Sequence, residues 1–298
     1  MGENSGVLCV NKPQGMTSHG VVNRIRRLYN TKRVGHTGTL DPMATGVLVV
    51  LIGRAAKAAE YIVSDMKEYD VRFKLGMTTD TGDITGTILS QTDVIPDTAE
   101  VIKAAESFKG KIKQLPPMYS AIKINGQKLV DLARKGIEVE RETRDVEIFD
   151  INIEAESNEY HMYVTCSKGT YIRTLCTDIG EAVNSGAVMT YLERTRNGRF
   201  KLNESYTIED IENMTESSRS EMLLPVEELF ADLKSVTLPE FYARLAGNGL
   251  EIYQKKIGTN FTDGEYVRLY NENGFFALGK VKEFENGSAI KPEKFFII

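Results

Sequence analysis

The chain has 298 residues, enough for one large domain and a small one. Its 41% hydrophobic and 27% charged residues are those of an ordinary soluble globular protein, which excludes disorder on a large scale. Lys and Arg (37) against Asp and Glu (42) give a net charge of -5, so a polyanionic partner has to be met by local basic faces and not by a global field.

The start, MGENSGVLCV, lacks the charged opening and long apolar core of a secretory signal, and no run approaches the roughly 18 apolar residues of a membrane span. A cytoplasmic protein with no membrane partner is expected. Val7 to Val10 reads as a short strand ended by the turn residues Lys12-Pro13-Gln14-Gly15. Ser18 is suited to cap a helix whose apolar positions Val21, Val22, Ile25, Leu28 and Tyr29 recur at helical spacing, with Arg24, Arg26 and Arg27 on its other side.

The segment Gly35 to Val50, GHTGTLDPMATGVLVV, places the carboxylate of Asp41 in a loop of Gly, Thr and Pro that leads straight into an apolar run. Pro42 confines the backbone of Asp41 to extended conformations, so the acid is presented from a defined frame. An Asx turn or helix cap is the ordinary fate of such an Asp; a nucleophile or general base is the functional one. Val47 to Ile52 is a continuous apolar run suited to a central strand, and Ala55 to Val63 reads as a helix.

Tyr69 to Leu75 alternates, with Val71, Phe73 and Leu75 on one face and Asp70, Arg72 and Lys74 on the other, the pattern of a half-buried strand. It runs into the polar loop TTDTGDITG with Asp80 and Asp83, which lacks the further oxygen ligands of a calcium loop. Between Gly110 and Arg144 two prolines, an Asn125-Gly126 turn and several lysines suggest an exposed hairpin-and-helix excursion. A second alternating strand, Tyr160 to Cys166, breaks at Ser167-Lys168-Gly169 before a helix with Ile172, Leu175, Cys176, Ile179, Ala182 and Val183 facing inward. Tyr171 and Arg173 then fall in its first turn. The polar Thr215 to Arg219 stretch reads as a loosening near the end of the main domain. From about Ser235, short alternating runs such as Tyr266 to Leu269 and Phe275 to Lys280 suggest a small β-rich barrel or sandwich.

Cys9, Cys166 and Cys176 form no CxxC pair and, with His19, His36 and His161, show no zinc spacing, so reduced buried thiols and no metal are expected. Neither a GxxxxGK[ST] loop nor a GxGxxG fingerprint is present, and no nucleotide cofactor is expected. Basic residues gather in three runs: Arg24 to Arg33, Lys109 to Lys113, and Arg194 to Lys201. Each alone is ordinarily a solvated face; together they fit phosphate tracking. A carboxylate that has to stay ionised in a pocket dry enough for an aromatic base needs a cation beside it, and Arg173 is a suitable partner. A solvent-facing charge is the alternative for Arg173. Tyr69 and Tyr171 read either as core aromatics or as rings that stack on a nucleobase, and His36 as a structural donor in its Gly-Thr loop.

The motifs Asn11-Lys12-Pro13 with GMTSH, GHTGTLDPMATGVL, KEYDVRFKLGMTTDTGD, LPPMYSAIKINGQKLVDLARKG, SKGTYIRTLCTDIG and YLERTRNGRF span most of residues 7 to 200. In these the chain resembles bacterial tRNA pseudouridine-55 synthases of the TruB type. The last 60 or so residues resemble a PUA domain by position and β-rich pattern. Val130 departs from an aromatic expected in the family.

The resemblance implies an α+β fold: a mixed α/β core (residues 1–234) around a long sheet with a cleft, an RNA-gripping thumb at about 110–145, and a PUA-like RNA-binding domain at 235–298. It implies Asp41 as nucleophile toward uracil C6 or ribose C1′, both routes being compatible with the sequence. Arg173 would keep Asp41 ionised, and Tyr69 would stack on the flipped uracil and take part in C5 deprotonation. Tyr171 would line the pocket, Asp83 would join the polar network, and Lys12 and His36 would contact the substrate. The partner implied is the T arm of tRNA, taken up by a monomer without cofactor. A non-enzymatic RNA-binding or tRNA-folding protein using the same cleft is one rival. A retaining glycosidase is another, and it requires a second acid roughly 5 Å from the first.

Overall fold

A computed structural model describes residues 5–62 and 66–296. In chain order the N-terminal part contains β1 (Gly6–Lys12), α1 (Ser18–Leu28), β2 (Val34–His36), β3 (Thr45–Ile52) and β4 (Lys67–Leu75). There follow β5 (Met77–Thr79), β6 (Ile88–Gln91), α2 (Thr98–Glu106), β7 (Gly110–Gln114), β8 (Lys123–Ile124), β9 (Gln127–Lys128) and α3 (Leu129–Ala133). The core is completed by β10 (Arg144–Glu156), β11 (Glu159–Cys166), α4 (Ile172–Ala182), β12 (Ala187–Asn197), β13 (Phe200–Lys201), β14 (Tyr206–Thr207), α5 (Ile208–Asn213) and α6 (Glu216–Glu221). The remainder comprises β15 (Ser235–Thr237), α7 (Glu240–Gly247), β16 (Ile252–Tyr253), α8 (Gln254–Ile257), β17 (Tyr266–Asn271), β18 (Gly274–Phe284) and β19 (Gly287–Phe295).

The main sheet runs β14-β1-β3-β12-β4-β11-β10-β7, with β13 on β12 and β2 on β3. The seven residues from Gly46 to Ile52 are all buried, because β3 is covered on both faces, by α1 on one and by the C-terminal part on the other. Strand β4 keeps the expected alternation, with Tyr69, Val71, Phe73 and Leu75 in the core against α4 and α2. The sheet is mixed: β12 is parallel to β3 and antiparallel to β4. That register sets Arg194 of β12 opposite both Gly46 of β3 and Tyr69 of β4. Residues 235–295 form a second, five-stranded sheet, β15-β17-β18-β19-β16. Its Leu278 and the following Phe296 pack in one apolar cluster with Val7, Val49 and Phe230.

Several local expectations differ from what is observed. Thr17, not Ser18, caps α1, its hydroxyl accepting from Gly20 N, because the buried Ser18 hydroxyl is engaged by Leu40. The Ala55 to Val63 helix is a 3-10 helix, Gly53–Tyr61, while Val63 lies outside the described residues. The excursion expected from Gly110 leaves the sheet only after Gln114, since β7 pairs with β10; the β8–β9 hairpin and α3 follow. Ala182 is exposed at the end of α4. Thr215 to Arg219 is no loosening: Thr215 caps α6, and Arg219 donates to the carbonyls of Leu28, Ile211 and Met214.

Candidate active site

Asp41 sits in the loop that enters β3, at the centre of the main sheet. The loop is pinned from several directions. Ser18 Oγ donates to Leu40 O at 3.0 Å and accepts from Leu40 N at 2.8 Å. Gly15 N donates to Pro42 O at 2.7 Å, and Ala44 N to Asp41 O at 3.1 Å. Backbone torsion at Asp41 is thus fixed before any partner binds its side chain.

Arg173, the second residue of α4 and 5% exposed, turns inward and spreads its guanidinium across three segments. Nε lies 2.9 Å from Asp41 Oδ2, Nη1 donates to Thr81 O at 2.8 Å and lies 3.6 Å from Asp83 Oδ2, and Nη2 donates to Tyr119 O at 2.7 Å. The start of α4 is itself fixed by the buried Gln114, which accepts from Tyr171 N at 2.7 Å and donates to Tyr171 O at 3.0 Å. Asp83 is buried and anchored by Thr81 Oγ1 and Thr85 N at 3.0 and 2.9 Å. Burial pushes the Asp41 carboxyl above the usual carboxylate range; Arg173 opposes this, Asp83 adds to it, and Lys12 works with Arg173.

A cavity of about 270 Å³ opens at this pair, lined by Asp41, Tyr69, Tyr171 and Arg173, and by Tyr119 and Ser120 of the excursion. Tyr69 is buried and its phenol is pushed up to about 12 by desolvation, the Arg194 guanidinium that hydrogen-bonds it pulling the other way. Burial likewise raises the Tyr171 phenol. A half-exposed carboxylate beside a buried guanidinium, under two aromatic rings, is equipped for nucleophilic attack on a flat polar ring.

Of the residues singled out from sequence, Asp41, Tyr69, Tyr171, Arg173 and Asp83 therefore converge. Lys12 does not fit as a direct substrate contact: it is 0% exposed, and its Nζ donates to the carbonyls of Pro13, Met16 and Pro42 at 3.0, 2.7 and 3.3 Å. It staples the reactive loop from behind. His36 lies outside the cavity, its Nδ1 accepting from Gly38 N at 3.2 Å, and burial and then Arg194 lower its pKa. Asp83, the nearest second carboxylate of the network, does not line the cavity, so it offers no glycosidase-type acid there.

The three basic runs are partly engaged in ion pairs, while Arg27, Lys32, Lys111 and Lys201 stay exposed. Arg24 is paired with Glu212, Lys109 with Asp150 at 2.7 Å, Lys113 with Asp145 at 3.0 Å, Arg196 with Glu68 at 3.1 Å, and Arg199 with Glu228. Arg194 is 1% exposed and donates to Val47 O at 2.7 Å and Gly38 O at 3.1 Å. It and Gln114 are site residues that the sequence reading missed. Their signal was position: Arg194 directly follows an apolar-to-polar strand pattern, and Gln114 keeps the inward phase of Ile112.

An acid–guanidinium pair opening on a tyrosine-walled cavity is the class of site the fold builds, and the chain's relatives name the family. Residues 26–172 match the TruB family pseudouridylate synthase N-terminal domain, and residues 173–231 the tRNA pseudouridylate synthase B C-terminal domain. The tRNA pseudouridine synthase B of Clostridium tetani (strain Massachusetts / E88) is 44% identical over 282 residues, covering 94% of this chain and 96% of that protein. A Cbf5-Nop10-Gar1 complex contains a chain that superposes with a TM-score of 0.76 at 26% identity, covering 99% of this chain and 85% of that one. An H/ACA RNP bound to a substrate RNA containing 2′-deoxyuridine gives 0.75 at 25% identity, covering 99% and 86%. The chain belongs to the TruB family of pseudouridylate synthases, which are isomerases.

Proposed function

We propose that the protein converts uridine to pseudouridine at position 55, in the T loop of tRNA, with Asp41 as nucleophile on a base flipped out of its stack. The observation that carries this reading is the Asp41–Arg173 pair, 2.9 Å apart, at a cavity walled by Tyr69 and Tyr171. The relative named as a tRNA pseudouridine synthase and the neighbour bound to a substrate RNA support the choice of substrate.

The isomerisation conserves every atom. Asp41 forms a bond to C6 or C1′ that is broken again before product leaves. The N1–C1′ bond breaks with its electron pair going to the base, the ring turns, and C5 bonds to C1′. The proton then leaves C5 and N1 takes one up, so neither cofactor nor energy input is required. Tyr69 stacks on the ring and presents a phenol that is protonated at neutral pH, in contact with Arg194. Tyr171 walls the pocket, Asp83 holds Arg173 from its far side, and neutral His36 steadies the extruded loop.

Extrusion of the base costs a few kcal/mol, recovered from pocket contacts and from phosphate neutralisation. The segment between β7 and β10 acts as the thumb that grips the T arm, residues 1–234 form the catalytic unit, and residues 235–298 act as a PUA-like RNA-binding domain. The enzyme works as a monomer in the cytoplasm.

Asp41→Asn tests the core of this reading: it should bind tRNA yet release no tritium from a transcript labelled at uridine C5, and normal release would overturn the nucleophile assignment. Mapping pseudouridine in tRNA from cells lacking the protein should show loss at position 55; its persistence there would overturn the substrate assignment.

A further inference from the structure

Strand β10 enters the main sheet at Arg144, just after the excursion that follows β7. The inward phase of β10 carries the buried Ile148 and Val146, and Arg144 continues it, paired in register with Gln114 of β7. Side chains directly opposite on an antiparallel pair share one face, so Arg144 lies on the face of Gln114, the residue that holds the backbone of Tyr171 at the start of α4. Arg144 is nevertheless exposed, and its guanidinium forms no ion pair and no hydrogen bond with any of the described residues. The adjoining Asp145 turns to the other face and pairs with Lys113 at 3.0 Å. The Arg144 charge still reaches the wall of the Asp41 cavity: burial raises the Tyr171 phenol, and a hydrogen bond with Ser120, then the charge of Arg144, then that of Arg173 pull it back. Gln114 and Ser120 already hold Tyr171 at its backbone and its hydroxyl, so the ring does not need Arg144 to keep its place.

A guanidinium set by strand register beside a reactive cavity, open to solvent and without a counter-ion, is suited to an anion brought from outside. A flipped nucleotide turns about its own backbone, so its base enters the cavity while its two flanking phosphodiesters stay outside, along the rim. Deepening the reading given above, on which it rests, we propose that Arg144 is a substrate-binding residue whose guanidinium takes the non-bridging oxygens of one phosphate flanking the flipped uridine. A planar fork meets two oxygens of the same phosphate, which fixes the register of the strand as well as adding affinity. Such a contact is blind to the base. It acts on capture of the flipped strand and not on the bonds that break and form at Asp41.

The test uses the full-length protein and synthetic T-arm stem-loops in which the phosphate 5′ or 3′ of the target uridine is an uncharged methylphosphonate. The ribose preceding that linkage is replaced by deoxyribose to keep it intact, and stem-loops with the deoxyribose alone serve as controls. On the all-ribose stem-loop, Arg144→Gln should weaken binding about tenfold, the scale of one charged hydrogen-bonded contact, and leave the saturating single-turnover rate within about threefold of wild type. It should also lower the slope of log Kd against log salt by about one, the mark of a single phosphate contact, whereas Arg144→Lys should keep the wild-type slope. On one of the two methylphosphonate stem-loops Arg144→Gln should cost less than about threefold, because the contact is already lost; on the other, and on both controls, it should keep its full cost. The melting temperature of the free variant should be unchanged, since no bond within the protein is removed. An equal penalty on every stem-loop, an unchanged salt slope, full binding by Arg144→Gln, or a clearly lowered melting temperature would each overturn the proposal. Failure of the wild-type protein to convert uridine in the all-ribose stem-loop would instead overturn the function proposed above.

Discussion

Lys12 and Pro42 are joined across the base of the reactive loop: the Lys12 ammonium donates to the carbonyl of Pro42 at 3.3 Å, one residue beyond Asp41. The same ammonium holds Pro13 and Met16, so a single buried cation ties β1, its following turn and the Asp41 loop together. Lys12→Met removes the donor from three buried carbonyls and should destabilise the fold by at least about 1–3 kcal/mol.

A pH signature accompanies that loss. Desolvation lowers the Lys12 pKa from 10.5 to about 8, with Asp41 opposing the shift. Between those values the unfolded chain binds more protons at this position than the folded one, so the Lys12 contribution to stability rises with pH. The stability gap between wild type and Lys12→Met, measured by urea unfolding, should be flat below pH 8 and widen from there toward pH 10.5. A gap that narrows over that range would refute the buried-cation account.

Arg173 serves Asp41, Thr81, Asp83 and Tyr119 with a planar fork, which a point ammonium does not reproduce. Losing two such bonds, at roughly 1.5–3 kcal/mol each, corresponds to about a hundredfold or greater fall in kcat for Arg173→Lys. Burial already raises the Asp41 pKa and Arg173 restrains it, so Arg173→Met should move the acid limb of the rate profile to higher pH. An unmoved acid limb, or near-normal turnover by Arg173→Lys, would show that the pair is incidental.

How much of this was legible before the structure depended on what decides each element. Strand β3 was legible because a run of apolar residues covered on both faces has no other use. The alternation of β4 gave Tyr69 its inward direction. Strand β12 was not read as a strand, because Glu193, Arg194 and Arg196 look like a solvated basic run. In the fold Arg194 is buried on backbone carbonyls and Arg196 is paired with Glu68. Lys12 misled for the same reason: its charge is satisfied by carbonyls from three loop positions, a tertiary arrangement with no local periodicity. Asp41 and Arg173 were coupled from motif and charge logic, whereas the hold of Gln114 on Tyr171 depends on β7 joining the sheet, which its lysines disguised.

Gly46 provides a purely steric test of how the site is braced. Its φ of +96° lies where side chains are strained, and a Cβ there would fall 2.3 Å from Arg194 O on the adjoining strand. Strained backbone and overpacking each cost about 1–3 kcal/mol, so Gly46→Ala should lose roughly 2–6 kcal/mol. Denaturant unfolding should show the shift, and wild-type stability would mean that β3 and β12 do not approach this closely.

Tyr69→Phe separates stacking from the hydroxyl. The ring remains between β4 neighbours in the core, so tRNA affinity should be nearly unchanged, while the contact to Arg194 disappears. Because the Tyr69 phenol is pushed up to about 12, the wild-type rate should show no alkaline rise from phenolate formation near neutrality. If the hydroxyl takes part at C5, Tyr69→Phe should lower the rate of C5 tritium release at least tenfold, with KM altered by less than threefold. The magnitude is that of general acid–base participation at the lower end of its range, about 10²-fold, reduced by a phenol that is mostly protonated. Equal tritium release by wild type and variant would leave Tyr69 as a stacking residue alone and would move the proton transfer to another group. The Arg194 contact would then serve only to set the ring's orientation against β12, and Arg194→Gln should reproduce the KM of wild type without its loop rigidity, measurable as faster amide exchange at Gly38 and Leu40.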